Sequence, residues 1–190
     1  MPDRPTSLPT LTTPRLTLRP FAPADAADVS RLAGAREVAQ TMLYMPHPYD
    51  EGMAERWIAS LDGDWAAGRE LNLAMTLAAT GELIGSVGLS GMDNPHQRAE
   101  LGYWVGVPYW GRGYCTEAAR GLIRYAFAEL GLHRVFAHHF TRNPASGRVL
   151  AKAGMTHEGT LRKHALRWGV FEDREVWGIL ATDSAAGENA

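Results

Sequence analysis

The stretch that most restricts what this chain can become is Val105-Gly106-Val107-Pro108-Tyr109-Trp110-Gly111-Arg112-Gly113-Tyr114. It joins an apolar, strand-like run at residues 99–105 to an amphipathic helix predicted at 116–130. Gly111 and Gly113 have no Cβ, so the backbone there can bend sharply and approach a ligand closely. The N–H groups of such a loop converge at the positive end of the helix, which favours an anion. Arg112, between the glycines, adds a guanidinium suited to phosphate oxygens. Two common phosphate motifs fail the test. A P-loop needs Gly-Lys-Ser/Thr after its second glycine, whereas Gly111 is followed by Arg112 and Gly113. A dinucleotide fingerprint needs a third glycine where Thr116 stands. The same residues also read as a plain tight connection.

Around this loop the chain alternates between the two regular periods. The apolar positions Ala119, Leu122, Ile123, Ala126, Phe127 and Leu130 follow helical spacing, and Gly131 supplies a stop. Strands are expected at 15–19, 71–77, 83–89, 99–105, 134–140, 155–161 and 172–180. Helices are expected at 24–33 and 52–67, with 42–49 in the connection between them. Asn143-Pro144 opens a short helix with Asn as N-cap and Pro in its first turn, and Gly154 closes it. Strands grouped first and helices inserted later predict an α+β fold with a mixed sheet. With 190 residues, no repeat and no linker, one domain over 1–190 is expected, with frayed ends at 1–10 and 182–190.

Composition excludes several classes. The single cysteine, Cys115, cannot form an internal disulfide, and no Cys/His spacing suits zinc. His138 and His139 are neighbours on a strand and point to opposite faces, so no metal is expected there. No apolar run reaches the roughly 18 residues of a membrane helix, and the Pro-rich start lacks a signal-peptide core. A cytoplasmic protein without membrane contact is the expectation. The net charge of −2 is uneven: −5 over residues 1–110, +6 over 111–174 and −3 over the last sixteen. Positive charge coincident with the glycine loop suits a small polyanion, although scattered arginines are the plainer reading. An acidic N-terminal half argues against direct nucleic-acid binding.

The loop and its flanks resemble a known family. Glu100-Leu101-Gly102-Tyr103-Trp104-Val105, Trp110-Gly111-Arg112-Gly113-Tyr114 and Thr116-Glu117-Ala118 are similar to motif A of the GNAT N-acetyltransferases. Asn143-Pro144-Ala145-Ser146, Val149-Leu150-Ala151-Lys152-Ala153-Gly154-Met155 and Glu158-Gly159 resemble motif B. The opening Thr13-Pro14-Arg15-Leu16-Thr17-Leu18-Arg19 looks like the RimJ/RimL-like branch, and the likeness covers about residues 12–181. The resemblance implies a central mixed, mostly antiparallel sheet with a splayed pair of strands flanked by helices. It implies acetyl-CoA as co-substrate and a primary amine as acceptor, either a small molecule or a peptide, with a ribosomal protein N-terminus as one case. A homodimer is compatible with it. Val105 and Val107 would pair with the pantetheine arm. Gly111 and the amides of Arg112, Gly113, Tyr114, Cys115 and Thr116 would hold the pyrophosphate, and Asn143 and Ser146 would contact the pantetheine end. Pro108 departs from the Gln or Arg usual at its place, which removes a side-chain contact but leaves the amide cradle.

Acetyl transfer from a thioester needs a neutral amine, a polarised carbonyl, a stabilised oxyanion and a protonated leaving thiolate. The resemblance makes Ser146 the candidate acid; a serine bonding its own helix amides is the plainer alternative. Where RimL-like members carry a base glutamate, this chain reads Leu161-Arg162-Lys163-His164-Ala165, so His164 is the nearest titratable neighbour and a candidate base. Glu100 is the second candidate; strand parity sets it with Gly102 and Trp104, opposite Leu101, Tyr103 and Val105. A helix N-terminus lowers a thiol pKa, so Cys115 invites a covalent route, but the resemblance implies direct attack. Tyr44, His47, Tyr49 and Trp57 form a candidate aromatic wall for the acceptor. A non-catalytic acyl-CoA sensor that keeps the cradle is the rival reading, and an RNA-binding accessory a weaker one.

Overall fold

The computed structural model describes residues 7–93 and 95–183. A short hairpin of β1 (Leu11–Thr12) and β2 (Leu16–Arg19) opens the chain. The helix expected at 24–33 divides into a 3₁₀ turn (Pro23–Asp25) and α1 (Ala26–Ala33). Asp25 causes the break: its carboxylate accepts from the Ala22 N–H and pairs bidentately with Arg19 at 2.7 and 2.9 Å. A single-turn α2 (Arg36–Ala39) and α3 (Met53–Ala66) follow. Then come β3 (Leu71–Leu77), β4 (Leu83–Asp93), β5 (Arg98–Val105), α4 (Tyr114–Ala128), β6 (Arg134–Phe140), α5 (Pro144–Lys152), β7 (Thr156–Arg167) and β8 (Val170–Leu180). No helix among the described residues is long and apolar enough to cross a membrane.

Among the described residues the strands form one sheet, in the order β1-β2-β3-β4-β5-β6-β8-β7. Every neighbouring pair is antiparallel except β5–β6. A parallel pair needs a crossover, and α4 supplies it. Its helical stripe is buried as the spacing predicts, with Ala119, Leu122, Ile123, Ala126 and Leu130 packed against Leu18, Leu73 and Val87. The opposite face of the sheet is covered by α1 and the start of α3, through Val29, Leu32, Ala54 and Ile58 on Leu83 and Trp104. The ends expected to fray fall largely on 1–6 and 184–190, outside the described residues; within the rest, Leu8 packs on the core and Asp183 accepts from the Leu180 N–H.

The pairing of β5 with β6 is brief. It runs Arg98↔Arg134, Ala99↔Val135 and Glu100↔Phe136, and stops. Beyond it β5 stays on β4 as far as Gly85↔Val105, while β6 stays on β8 as far as Phe140↔Arg174. The inner edges of the two strands therefore face a gap.

The hairpin of β7 and β8 reaches much further than the run expected at 155–161. Lys163 has a positive φ of 50° inside a register shift between Leu161 and Ala165, so strand alternation is interrupted there and resumes after it. At its far end Arg167, 8% exposed, donates to the carbonyls of Ala39, Leu43 and Met45. Arg142 adds a bond to the Gln40 carbonyl. The segment after α2 is thus held by two guanidiniums. Truncating Arg167 to Ala strips the Leu43 and Met45 carbonyls of their donor, leaves Ala39 with the Met42 N–H alone, and should cost about 3 kcal/mol, because bonds from a charged donor are worth about 1.5–3 kcal/mol. The urea midpoint of the variant measures this; a loss below about 0.5 kcal/mol contradicts the clamp.

Candidate active site

The gap between β5 and β6 opens into a cleft of about 1080 Å³, lined from both sheet faces by β5, β6, α5, the glycine loop and the segment after α2. At its floor the glycine loop has the conformation that its residues demand. Gly111 and Gly113 have φ of 75° and 80°, in the left-handed region. A side chain at Gly111 would meet only open space, and one at Gly113 would come within 3.5 Å of the Arg15 guanidinium. Gly113 is the N-cap of α4, so the helix begins at Tyr114, two residues before its expected start. The N–H groups of Arg112, Gly113, Tyr114, Cys115 and Thr116 have no acceptor among the described residues. These donors at a helix N-terminus make an anion cradle.

The loop is braced from behind. Glu117 accepts from the Thr13 hydroxyl and from the Arg15 N–H, both at 2.7 Å, and pairs with the Arg15 side chain at 2.6 Å. Burial would raise the Glu117 carboxyl, but these bonds outweigh it and hold it below the usual range. Arg15 also donates to the Arg112 carbonyl at 3.0 Å. The Arg112 side chain itself points to solvent near the Tyr109 ring.

Not every expected contact sits where the resemblance put it. Val105 lines the cleft, but its carbonyl already accepts from the Trp110 indole at 2.8 Å. Val107, expected beside it in the pairing strand, lies in a 3₁₀ turn (Val107–Tyr109) outside the cleft lining, because Pro108 fixes a turn φ there. Asn143 lines the cleft and caps α5, its Oδ1 accepting from the Ser146 N–H at 3.3 Å, while its amide nitrogen has no acceptor among the described residues. The Ser146 hydroxyl does not bond its own helix amides. It lies 2.8 Å from the Tyr103 hydroxyl, which also reaches the Ser146 carbonyl at 3.2 Å. Burial pushes the Tyr103 phenol upward, opposed by the Ser146 bond. Tyr103 was legible only through strand parity, as a β5 side chain on the α4 side.

On the opposite face, Glu100 meets His138: Oε1 is 2.8 Å from Nδ1 and 3.3 Å from an Arg174 nitrogen. Burial would raise the Glu100 carboxyl, but the His138 bond and charge, with those of Arg174, outweigh it and hold it low. The His164 ring stacks on His138, with centroids 6.3 Å apart and planes 15° apart. Both expected bases thus converge on one ring. His139, as parity requires, points the other way, where its ring accepts from the Trp177 indole at 3.1 Å.

Tyr44, Tyr49 and Trp57 line the cleft, whereas His47 packs near Trp168. The Cys115 thiol behaves opposite to the helix-end argument: burial pushes it up to about 12, so it is protonated at neutral pH. Iodoacetamide at pH 8 should therefore label native Cys115 at least tenfold more slowly than the urea-unfolded chain; equal rates contradict a buried thiol.

The acetyltransferase (GNAT) domain family matches residues 15–156. The N-acetyltransferase p20 of Bacillus licheniformis is 31% identical over 176 residues, covering 93% of this chain and 98% of that one. The [ribosomal protein uS5]-alanine N-acetyltransferase of Escherichia coli is 31% identical over 87 residues, 46% of this chain and 45% of that one. Matches to two N-acetyltransferases of Bacillus subtilis, at 39% and 41% identity, span only 57% and 64% of those chains. Mycobacterium smegmatis RimJ, solved with CoA-disulfide, superposes with a TM-score of 0.81 at 24% identity over 97% of both chains, which shows a shared fold. A parted parallel strand pair above a free amide cradle, in a chain matched over most of its length, identifies it as a member of the GNAT N-acetyltransferase family.

Proposed function

We propose that the protein transfers the acetyl group of acetyl-CoA to a primary amine by direct attack, with both substrates held in the cleft at once. The observation that carries this is the coincidence, in one cleft, of five free amides at a helix N-terminus with an unpaired strand edge. The amides of residues 112–116 suit a pyrophosphate, and the Asn143 amide nitrogen and the inner edge of β5 suit a pantetheine arm. Acetyl-CoA, when bound, supplies an acetyl group activated as a thioester.

This chain's residues then supply position and proton traffic. Holding two reactants in one cleft removes much of the entropic barrier. The Ser146–Tyr103 hydroxyl pair lies on the α5 side of the gap, ready to give a proton to a leaving sulfur. The Glu100–His138 pair on the other side of the cleft can take one from the amine. Cys115, buried and protonated, is left to its backbone N–H, which favours direct attack over a covalent intermediate.

The acceptor that best fits is a protein N-terminal amine. The relative from E. coli bears the name of a ribosomal protein uS5-alanine N-acetyltransferase, and the aromatic side chains of Tyr44, Tyr49 and Trp57 offer a stacking wall for an extended peptide. A small-molecule amine remains the competing acceptor. A non-catalytic acyl-CoA sensor would keep the same cradle, but it has no need of a hydroxyl pair and an oriented histidine on opposite sides of one cleft.

Thiol release from acetyl-CoA with a panel of amines (Ala- and Ser-initiated peptides, polyamines, aminoglycosides) tests the reading. An Ala- or Ser-initiated peptide is expected to turn over best. Ser146→Ala should lower kcat by about 10- to 100-fold while KM for acetyl-CoA stays within about twofold. Acetyl-CoA binding without thiol release to any amine would instead establish the sensor.

A further inference from the structure

We infer that His138, rather than Glu100 or His164, is the catalytic residue that takes the proton from the attacking amine, with Glu100 as its positioning residue. This rests on the acetyltransferase reading above and names the base of that same site. Glu100 and Phe136 are the last paired residues before β5 and β6 part. Side chains two apart along a strand share a face, so His138 stands next along β6 on the face of Glu100. It is therefore the first ring past the apex of the gap, and it lines the cleft.

Its orientation is set from three sides. Nδ1 lies 2.8 Å from Glu100 Oε1, and Arg174, from β8, reaches the same oxygen at 3.3 Å. The Phe136 ring meets it edge-on at 5.6 Å and 85°. His164, placed by the bulge in β7, stacks on the other side. A carboxylate held in its ionised form accepts, so the Nδ1 proton points at Glu100, and in the neutral ring this leaves the lone pair at Nε2. Nε2 has no protein partner among the described residues. An oriented imidazole with a free nitrogen toward a cleft is the arrangement of a general base and its orienting carboxylate.

The two other candidates lack these features. Glu100 Oε1 already accepts from two donors. His164 is exposed, makes no hydrogen bond among the described residues and does not line the cleft. In the step assigned to His138, the amine nitrogen bonds the acetyl carbonyl carbon as the carbon–sulfur bond breaks. The nitrogen's proton passes to Nε2, and the sulfur takes a proton from the Ser146–Tyr103 pair.

The groups that set the pH response are thus Glu100 from β5, Arg174 from β8 and His164 from β7. A base works in its neutral form, so the rate falls as pH drops through its titration. With the best amine from the panel, His138→Ala should lower kcat/KM by about 100- to 1000-fold and abolish the acidic limb of the profile. Acetyl-CoA affinity should stay within twofold, and added imidazole should restore part of the rate. His164→Ala should keep the limb. An intact limb in His138→Ala, or its loss in His164→Ala alone, overturns the assignment. The ¹⁵N spectrum of the histidine side chains tests it without any amine: the neutral His138 ring is expected as the Nδ1–H tautomer, with the signal displaced in Glu100→Gln, and a neutral ring carrying its proton on Nε2 overturns it. Failure of every amine with the wild type would sink the enzyme reading instead, and the nitrogen spectrum would still decide the dyad.

Discussion

Everything in this molecule's chemistry depends on two parallel strands that begin to pair and then stop. A sheet interior normally satisfies every backbone N–H and C=O, and an open inner edge on both β5 and β6 leaves polar groups that some partner must meet. The parting is held open by its neighbours. β4 keeps β5 to Val105, and β8 keeps β6 to Phe140, so neither strand can swing across to close the gap. The Tyr103–Ser146 contact spans it from β5 to α5. Below, the α4 amides are free because Gly113 caps the helix without a side chain. Their position is kept by Glu117, which bonds back to Thr13 and Arg15.

The sheet divides the labour between its faces. Leu101, Tyr103 and Val105 face the α4–α5 side, where the amide cradle and the hydroxyl pair lie. Glu100 and Trp104 face the side of α1 and α3, together with His138 and the aromatic residues of the segment after α2. A thioester threaded through the gap from one face would meet an amine on the other. Arg167 and Arg142 hold carbonyls of residues 39–45, which couples the tip of the β7–β8 hairpin to the shape of the cleft.

Much of this was legible from local pattern. The stripe from Ala119 to Leu130 announced α4, Leu71–Leu77 and Arg134–Phe140 emerged as strands with the expected ends, and Asn143-Pro144 marked the start of α5. What escaped was set by long-range contacts. The strand expected at 155–161 runs on to Arg167, because a bulge at Lys163 breaks the alternation that would have marked its continuation. The single turn of α2 is too short to carry a period, and the break before α1 follows from an Arg19–Asp25 pair that no window of sequence contains as a signal. Parity alone separated His138 from His139, yet the convergence of Glu100, His138 and His164 needs three strands brought together by the sheet order. The Cys115 thiol misled for a related reason: its place at a helix end is visible in sequence, and its burial is not.

The central claim is that the gap and the amide cradle hold acetyl-CoA. Thermal unfolding of the purified protein with acetyl-CoA, against ATP and NAD as phosphate-bearing controls, tests it most directly. A ligand at ~100 times its dissociation constant adds about 2.7 kcal/mol, which for a chain of this length is a rise of roughly 5–11 °C. That rise is expected with acetyl-CoA alone, and its loss in a folded Gly113→Trp variant, whose side chain is strained at a φ of 80° and starts within 3.5 Å of the Arg15 guanidinium that braces the loop. An unchanged Tm with acetyl-CoA, or equal shifts with ATP and NAD, would contradict it.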